Sequence, residues 1–392
     1  MRKKTIRDIA GISGQTVFLT VDFNISLKDG KVTNDTRIVE AIPTIKYLLS
    51  KKVKIVLASH LGRPKGVDPK FSLKPVAERV ALLTGKKVNL IEKYWEKEAV
   101  DKVRSLPSDQ LVLLDNIRFH EGEKKNDPTF AKHLASMADI FVNDAFGSSH
   151  RTHASIVGIT EYLKGYAGLL MEKEINMISD ALEKPKRPFL VIIGGAKTPE
   201  KISVIERILD IADTVALGGA IANTFLAAWG FGMGQSIVDY EMVEMARVVF
   251  WKATRQHSAL MLPLDVVISD NQRQAKPKTV DYNQVPPNVA IFDIGQKTQN
   301  HLKDMIKNAG TIIWNGPMGL YEDPRFAKGT DSLLESISGS KAITIVGGGD
   351  TLTSIKTKSC LKKITHISTG GSAMLEFMKI GTLPGIEVLE NA

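Results

Sequence analysis

Runs of apolar and β-branched residues recur along the chain and alternate with stretches of helical periodicity. In the first half, the apolar runs lie at residues 16–23, 54–59, 111–116 and 139–144, and the helical periodicity lies at 37–52 and 74–86. Short apolar runs without polar alternation are typical of strands that are buried on both faces of a parallel sheet. The pattern therefore predicts βαβ units, in which helices cover a parallel sheet.

The second half repeats this scheme, with apolar runs at 189–195, 214–219, 289–295, 311–317 and 342–350. Between the two halves, residues 169–188 carry apolar side chains near helical spacing, and Pro185 and Pro188 then stop the helix. We therefore predict two α/β domains joined by a connecting helix.

Composition agrees with two domains of ordinary soluble protein. The 392 residues are 43% hydrophobic and 24% charged, and one cysteine, Cys360, indicates a reducing compartment. No apolar run approaches the roughly 18 residues of a membrane helix, and no signal segment follows Met1, so a cytoplasmic location is expected. The net charge of +9 lies in residues 1–170, where 28 Lys and Arg face 19 Asp and Glu; the remainder holds 24 of each. Such asymmetry indicates an anionic partner for the first half.

Polar side chains follow four successive predicted strands of the first half, at the edge where parallel-sheet proteins bind ligands. They are Asp22, Asn24, His60, Arg63, Asn116, Arg118, Asn143, Asp144, His150 and Arg151. With Arg37, which follows a predicted helix cap at Thr36, four arginines are expected at one site. The arginine fork matches phosphate and carboxylate oxygens, which favours a small, multiply charged anion. The pair His150 and His153 lacks a third ligand at zinc spacing, so anion binding or structural hydrogen bonding is favoured over a metal there.

The predicted strands of the second half end in glycine: GGAK at 194–197, GGA at 218–220, NGPMG at 315–319, GGGD at 347–350 and TGG at 369–371. Glycine allows backbone N–H groups to approach phosphates closely. Five such turns indicate a nucleotide, with Lys197 and Lys201 as charges for its phosphates and Asp350 as a ligand for Mg²⁺. Neither a P-loop nor a dinucleotide fingerprint is present.

Nine motifs in order along nearly the whole chain together resemble the phosphoglycerate kinase family. They are DFN at 22–24, SHLGRP at 59–64, FSLKPVAE at 71–78, NIRFHEGEKKND at 116–127, VNDAFGSSHRTHAS at 142–155, GGAK at 194–197, WNGPMG at 314–319, TIVGGGD at 344–350 and HISTGG at 366–371. The resemblance implies two Rossmann-like domains, each a parallel sheet flanked by helices, joined by a hinge helix. It implies an N-terminal domain at 1–168 that binds 3-phosphoglycerate or 1,3-bisphosphoglycerate, with the tail 380–392 packed on it, the hinge at 169–188, and a C-terminal domain at 189–379 that binds Mg-ADP or Mg-ATP. A monomer without nucleic-acid or membrane partners is the family expectation.

The resemblance also implies site residues at matching motif positions. The acid substrate is assigned to Asp22, Asn24, Arg37, His60, Arg63, Arg118 and Arg151. The nucleotide is assigned to Gly195, Ala196, Lys197, Lys201, Gly219, Asn315, Glu322, Gly348, Gly349, Asp350 and Thr351. Asp350 is the expected magnesium ligand, and the catalytic assignments are Arg37, Lys197, Gly348 and Gly371. Because the acceptor is a carboxylate, which is already ionised at neutral pH, no general base is needed.

Several positions depart from the family pattern. Thr20 stands where arginine is usual, Ser26 and Gln296 where proline is usual, and Ser372 follows one glycine fewer. We expect these changes to alter kinetics and not the reaction itself. Two alternatives remain at this stage: a basic binder of nucleic acid or another polyanion, which the 6% aromatic content disfavours, and an unrelated two-domain kinase for another small carboxylate.

Overall fold

Two α/β units make up the computed structural model, which describes residues 2–108, 110–196, 198–255, 258–354 and 358–392. Unit 1 comprises Met1–Asn176 and Thr382–Ala392, and unit 2 comprises Met177–Gly381. The boundary falls within a helix that extends from Leu169 to Glu183. This helix ends before Pro185, as the sequence predicts.

Unit 1 contains eight of the described strands, helices α1 to α5, the first half of α6 and a short C-terminal helix described below. The strands are β1 Thr16–Thr20, β2 Leu27–Lys28, β3 Lys31–Val32, β4 Lys54–Ala58, β5 Val88–Ile91, β6 Leu111–Leu114, β7 Ile140–Asn143 and β8 Gly165–Ala167. The helices are α1 Thr36–Ser50, α2 Lys74–Thr84, α3 Glu98–Ser105, α4 Gly122–Lys125, α5 Pro128–Ala135 and α6 Leu169–Glu183.

A six-stranded parallel sheet in the order β5-β6-β4-β1-β7-β8 forms the centre of unit 1. β1 lies between β4 and β7, and the chain leaves β1 towards one side of the sheet and later returns to its other side. Nearly every residue of β1, β4, β6 and β7 is buried, because helices cover both faces. The carboxyl ends of these four strands therefore form one edge, where ligand sites of such sheets lie.

Unit 2 contains nine strands and eight helices. The strands are β9 Phe189–Ile193, β10 Thr214–Leu217, β11 Ala259–Met261, β12 Asp265–Ser269, β13 Lys278–Asp281, β14 Ala290–Ile294, β15 Thr311–Asn315, β16 Ile343–Gly347 and β17 His366–Ile367. The helices are α7 Thr198–Ile208, α8 Gly219–Ala228, α9 Val243–Arg255, α10 Gln296–Asn308, α11 Lys328–Ser338, α12 Gly349–Ser354, α13 Lys358–Leu361 and α14 Ser372–Ile380.

The main sheet of unit 2 is parallel, in the order β11-β10-β9-β15-β16-β17. The apolar run at 289–295 does not join it. This run forms β14 of a separate antiparallel sheet, β13-β12-β14, whose register shifts between Val267 and Ile268. Ile291 and Phe292 of β14 are only half-buried, because both line the cavity described below.

The two chain ends meet in unit 1. Lys3 forms a β-bridge with Asn391, and its ammonium donates to the backbone oxygens of Glu387 and Leu389 at 3.0 and 2.8 Å. The short helix α15, Pro384–Glu387, packs beside the end of β7, where the Asn143 amide donates to the Gly385 oxygen at 2.9 Å. Among the described residues, no helix combines the length and the apolar character needed to span a bilayer.

Candidate functional site

The end of β1 holds a carboxylate against the first turn of α1. Nη1 of Arg37 lies 2.9 Å from both carboxylate oxygens of Asp22 and donates to the Asn24 carbonyl at 3.1 Å. Thr36 is the first residue of α1 and Asp35 is its N-cap, so the predicted cap at Thr36 is wrong. The Thr36 N–H instead donates to the side-chain oxygen of Asn34 at 2.9 Å. Burial would by itself raise the pKa of Asp22, but Arg37 and His60 outweigh it, so the pKa lies below its usual value.

Asn116 ties the loop after β4 to the loop after β6. Its buried amide donates to the Leu61 carbonyl at 2.7 Å, and its side-chain oxygen accepts from the Arg118 N–H at 3.1 Å. The peptide groups of Gly62 are then held from two sides: the N–H by Asn24 at 2.9 Å and the carbonyl by Nη1 of Arg118 at 2.7 Å. These bonds fix the positions of the arginines at the strand edge.

Positive charge accumulates at this edge beyond what its carboxylates neutralise. Arg118 is only 6% exposed, and its Nε has no partner among the described residues. Burial, then the nearby Arg151 and Arg63, lower the pKa of Arg118 to about 10, although Glu123 and Asp22 raise it. An arginine fork that is buried, incompletely bonded and next to two other arginines favours an anion at its free face.

His60 lies within this cluster. Burial is the main cause that lowers its pKa to about 3, and Arg118, Arg37 and Arg151 add to the effect, while Asp22 opposes it. The hydrogen bonds and neighbouring charges described in this subsection show that all seven residues predicted for the acid site lie close together. His60 is a neutral hydrogen-bonding group near pH 7 and not a cation.

Nuclear magnetic resonance can test this state of His60. We expect its imidazole signals to show no titration between about pH 5 and 8 in the free protein, because the pKa of about 3 lies below that range. Saturation of the site with a small phosphorylated acid should raise the pKa of His60, since an anion offsets the charges of the arginines. A free-protein titration near the ordinary value of 6.5 would contradict the arrangement of charges described here.

Two polar residues after β7 belong to the framework and not to the anion site. The Asp144 carboxylate accepts from the N–H groups of Leu170 and Met171, at 2.9 and 3.0 Å, and so caps α6. Burial raises the pKa of Asp144 to about 7. The amide of Asn143 binds the tail, as described above, so both side chains are directed to backbone groups.

Glu123 is an organising residue that the sequence did not single out. It is 1% exposed, and its two oxygens accept from the hydroxyl and the N–H of Ser155, at 2.7 and 3.0 Å. The Thr20 hydroxyl donates to the Ser155 carbonyl at 2.7 Å. Thr20 therefore anchors the segment that follows Arg151. Glu123 lies in the charged stretch EGEKK, in which Glu121 and Lys125 form an exposed ion pair. The sequence alone therefore does not show that Glu123 is the buried member of this stretch.

Three glycine turns meet at the strand ends of unit 2. A Cβ atom added to Gly194 would lie 2.2 Å from the Pro317 oxygen, one on Gly316 would lie 2.2 Å from the Gly194 oxygen, and one on Gly219 2.6 Å from the Gly195 nitrogen. Lys201 is buried, and its ammonium donates to the Gly194 oxygen. The turns after β9, β10 and β15 therefore require glycine in order to pack together, in addition to any role towards a ligand.

A cavity of about 310 Å³ opens beside these turns. Of the predicted nucleotide residues, Gly195, Ala196, Gly219 and Glu322 line it. Its other walls include Phe292, Met318 and Tyr321, and the buried carboxylate of Asp293, whose pKa burial raises to about 7. Sequence reasoning missed Asp293, because it stands inside an apolar run and not after one.

The other predicted residues of unit 2 lie outside the lining of that cavity, some of them beside Gly316. The Thr351 hydroxyl accepts from the Gly316 N–H at 2.7 Å, and the side-chain amide nitrogen of buried Asn315 has no partner among the described residues. Gly348 precedes α12, with Gly349 as the first residue of that helix, and Gly371 precedes α14 with a φ of +52°. Lys197 and the Asp350 side chain lie outside the described part of the structure.

Comparison with known proteins assigns the chain to a class and then to a family. The structure superposes on phosphoglycerate kinase from Coxiella burnetii with a TM-score of 0.86 at 36% identity, and on that of Pyrococcus horikoshii with 0.86 at 31%; each match covers 98% of both chains. These neighbours and the two parallel sheets define an α/β phosphotransferase built from two units. A family model described as phosphoglycerate kinase matches residues 6–380, and the enzyme of Dictyoglomus turgidum is 44% identical over 395 residues, covering all of both chains. The chain belongs to the phosphoglycerate kinase family.

Family membership confirms the prediction made from the motifs. The reaction is reversible phosphoryl transfer between 1,3-bisphosphoglycerate and ADP, which gives 3-phosphoglycerate and ATP in glycolysis and gluconeogenesis. The prediction of α/β units with parallel, helix-flanked sheets is also confirmed. The comparisons favour neither the polyanion binder nor the unrelated carboxylate kinase.

Proposed function

We propose that the arginine-rich edge of unit 1 is the site for 3-phosphoglycerate and 1,3-bisphosphoglycerate. The observation that carries this proposal is the uncompensated positive charge around Arg118, with Arg63 and Arg151 close to it and Asp22 already bound to Arg37. A small acid with a phosphate group supplies the missing negative charge and can accept from several forks at once. Neutral His60 and the Asn24 side chain complete the polar lining.

We further propose that the cavity of unit 2 binds the adenosine end of the nucleotide. Phe292 and Met318 supply apolar walls for the base, and the Glu322 carboxylate accepts from the ribose hydroxyls. The phosphates extend over the turn at Gly348 and Gly349, towards Lys201, and Lys197 is assigned to them from its motif alone. Magnesium enters with the nucleotide: Mg²⁺ prefers one or two carboxylates together with phosphate oxygens and water, so Asp350 is sufficient as its protein ligand. Among the described residues, no cluster of three or more His, Cys, Asp or Glu could hold a metal by itself.

The chemistry requires positioning and neutralisation of charge more than proton transfer. In the ATP-consuming direction, the ionised carboxylate of 3-phosphoglycerate attacks the γ-phosphorus, and the bond from that phosphorus to the ADP oxygen breaks. No proton must leave the nucleophile, which agrees with a neutral His60. We assign to Arg37 and Lys197 the stabilisation of negative charge on the γ-phosphoryl group during its transfer. The backbone N–H groups of Gly348 and Gly371 are assigned as hydrogen-bond donors to the same group.

The acid and the nucleotide are assigned to different units, so transfer requires the units to approach each other about the hinge at 169–188. Approach also excludes water, which would otherwise hydrolyse the acyl phosphate. Each copy of the chain carries both proposed sites. We also propose that the enzyme is cytoplasmic.

Competition by anions tests the site in unit 1. Sulfate should raise the KM for 3-phosphoglycerate more than chloride does at equal ionic strength. Both anions screen charge, but only sulfate has two oxygens that can accept hydrogen bonds from both N–H groups of one arginine. The difference should fade in Arg118→Ala, and it should persist in Arg104→Ala, an exposed arginine of α3 that serves as a control. Steady-state kinetics would provide the measurement. Equal effects of the two salts would mean that the cluster is only diffuse surface charge.

A further inference from the structure

Unit 2 contains a second cavity, of about 480 Å³, which is larger than the cavity assigned to the nucleotide. It lies beside the edge strand β11, between the end of α8 and the last turns of α9. Of the described residues, only Pro263 lines both cavities, so they are neighbours with separate walls. The reaction of the family needs an acid and a nucleotide, and neither is assigned to the second cavity. The proposed function therefore leaves it unused.

Aromatic rings form one wall of the second cavity. Trp229, Phe250 and Tyr282 line it, and Phe231 supports this wall through edge contacts with Trp229 and Tyr282. The ring centroids of Trp229 and Phe250 are 4.9 Å apart, and the Trp229 ring is nearly parallel to that of Tyr282, with an interplanar angle of 4°. Trp229 is nevertheless 50% exposed. An exposed ring that is already held in this way loses little conformational entropy when a ligand covers it.

The rest of the lining is mostly aliphatic. It includes the stretch 260–264, which consists of leucine, methionine and proline, and no Lys, Arg, Asp or Glu of the described residues takes part. An ionised ligand would lose its hydration in the second cavity without gaining a partner of opposite charge, which is costly. The lining therefore disfavours phosphorylated and carboxylated compounds and favours a neutral molecule with flat apolar rings.

Ser258 is the buried polar side chain of the second cavity. It is 7% exposed, and its hydroxyl oxygen has no hydrogen-bond partner among the described residues. A buried hydroxyl without a partner is unfavourable, and a ligand that bonds to it removes that cost. The other polar residues of the lining, Thr254, Tyr282 and His301, are exposed or half-buried and so can bond to water. One hydrogen-bonding group on the ligand is therefore expected, opposite Ser258.

We propose that the second cavity binds a neutral, planar aromatic molecule, which stacks on Trp229 and forms a hydrogen bond with the Ser258 hydroxyl. The aromatic wall supplies affinity, and Ser258 fixes the orientation of the ligand. The uncharged lining selects against the charged substrates of the reaction. This site goes beyond the catalytic function and lies entirely within unit 2.

Fluorescence anisotropy of 7-amino-4-methylcoumarin tests the proposal. This probe is neutral and planar, and its amino group can donate to Ser258. Titration with the full chain should raise the anisotropy with a dissociation constant of about 300 μM or tighter, an affinity within reach of a ligand of this size in an apolar pocket. The anisotropy should stay high in saturating ADP, because the nucleotide occupies the other cavity. No rise in anisotropy, or displacement of the coumarin by ADP, would overturn the proposal.

A blocking variant locates the bound coumarin. Thr254 is an exposed residue of the lining, so Thr254→Trp should fold normally, fill part of the second cavity and weaken coumarin binding about tenfold or more. Val248→Trp is the matched control, since it adds the same indole to an exposed position of α9 that does not line the cavity, and it should bind like wild type. Both variants should keep the wild-type kcat. Wild-type binding by Thr254→Trp would place the coumarin elsewhere and refute the site.

Ser258→Ala and a charged probe test the chemistry of the second cavity. Ser258→Ala should weaken coumarin binding about threefold to tenfold, and the urea midpoint of unfolding should not fall, because no bond to a described residue is lost. The acid 7-amino-4-methylcoumarin-3-acetate, which adds a carboxylate to the same rings, should bind about tenfold more weakly than the neutral probe or worse. Wild-type affinity in Ser258→Ala would contradict the proposed hydrogen bond, and equal affinity for the acid would contradict the proposed class of ligand.

Discussion

Arg37→Ala is expected to lower kcat by two orders of magnitude or more, which is the loss seen when a preorganised charge donor is removed. Asp22 holds the Arg37 guanidinium at the strand edge through both carboxylate oxygens, while about 30% of the side chain stays exposed for contact with a ligand. The guanidinium is therefore held in place before substrate arrives. ADP affinity should change little, since the nucleotide is assigned to unit 2. Steady-state kinetics and calorimetry with ADP provide the measurements.

The control for this variant is Arg79→Ala. Arg79 lies on α2 in the same unit, is 34% exposed and binds Asp35 through an ion pair, so it matches Arg37 in exposure and pairing but not in location. Its kcat should stay near the wild-type value. A kcat of Arg37→Ala within about threefold of wild type would remove Arg37 from the catalytic assignment. Equal losses in both variants would indicate a structural effect.

The sequence predicted the parallel sheets well, because their strands are buried on both faces and appear as uninterrupted apolar runs. β1, β4, β6 and β7 are of this kind. The edge strands were missed: three of the four residues of β5 are only half-buried, and β8 has three residues, two of them Gly165 and Ala167. Edge strands bury less surface and therefore carry a weaker apolar pattern.

Prediction of the site depended on the rule that ligands meet the carboxyl ends of parallel strands. The rule located Asp22, His60 and Arg118, which the structure brings together. It could not separate these residues from Asn143 and Asp144, which have the same position after a strand but bind backbone groups. The difference depends on which N–H groups a neighbouring helix or tail leaves unpaired, and this is set by tertiary packing.

Glycine patterns showed a further limit. The GG and GP pairs of unit 2 predicted a phosphate cradle, but the turns at Gly194, Gly219 and Gly316 also touch one another through backbone atoms. A short sequence motif cannot reveal such contacts, since they join Gly195 to Gly219, 24 residues further along the chain, and Gly194 to Gly316, 122 residues further along. The two roles make different predictions for substitution, because a packing role affects stability and a ligand role affects affinity.

Gly316→Ala tests both roles and is expected to lower both the stability of unit 2 and its affinity for ADP. At φ +96°, alanine is strained, and its Cβ would lie 2.2 Å from the Gly194 oxygen and 2.9 Å from the Lys201 ammonium. Since β9 and β15 are neighbours in the sheet, and the Gly194 N–H donates to the Asn315 oxygen at 2.9 Å, the turn cannot move without breaking that contact. We expect ADP affinity to fall at least tenfold and the free energy of unfolding to fall by about 3 kcal/mol or more. Calorimetry with ADP and urea denaturation measure the two effects.

Gly230→Ala is the matched control, because it isolates backbone strain. Gly230 has a φ of +95°, nearly that of Gly316, but no atom lies within 4 Å of its added Cβ. Both variants therefore incur a strain of about 1 kcal/mol, and only Gly316→Ala adds the collision with Gly194. Gly230→Ala should keep wild-type ADP affinity, and both variants should bind 3-phosphoglycerate normally, since that site is assigned to unit 1. If the two variants lost the same stability and neither lost ADP affinity, strain alone would explain Gly316, and the close packing of the three turns would have no part in nucleotide binding.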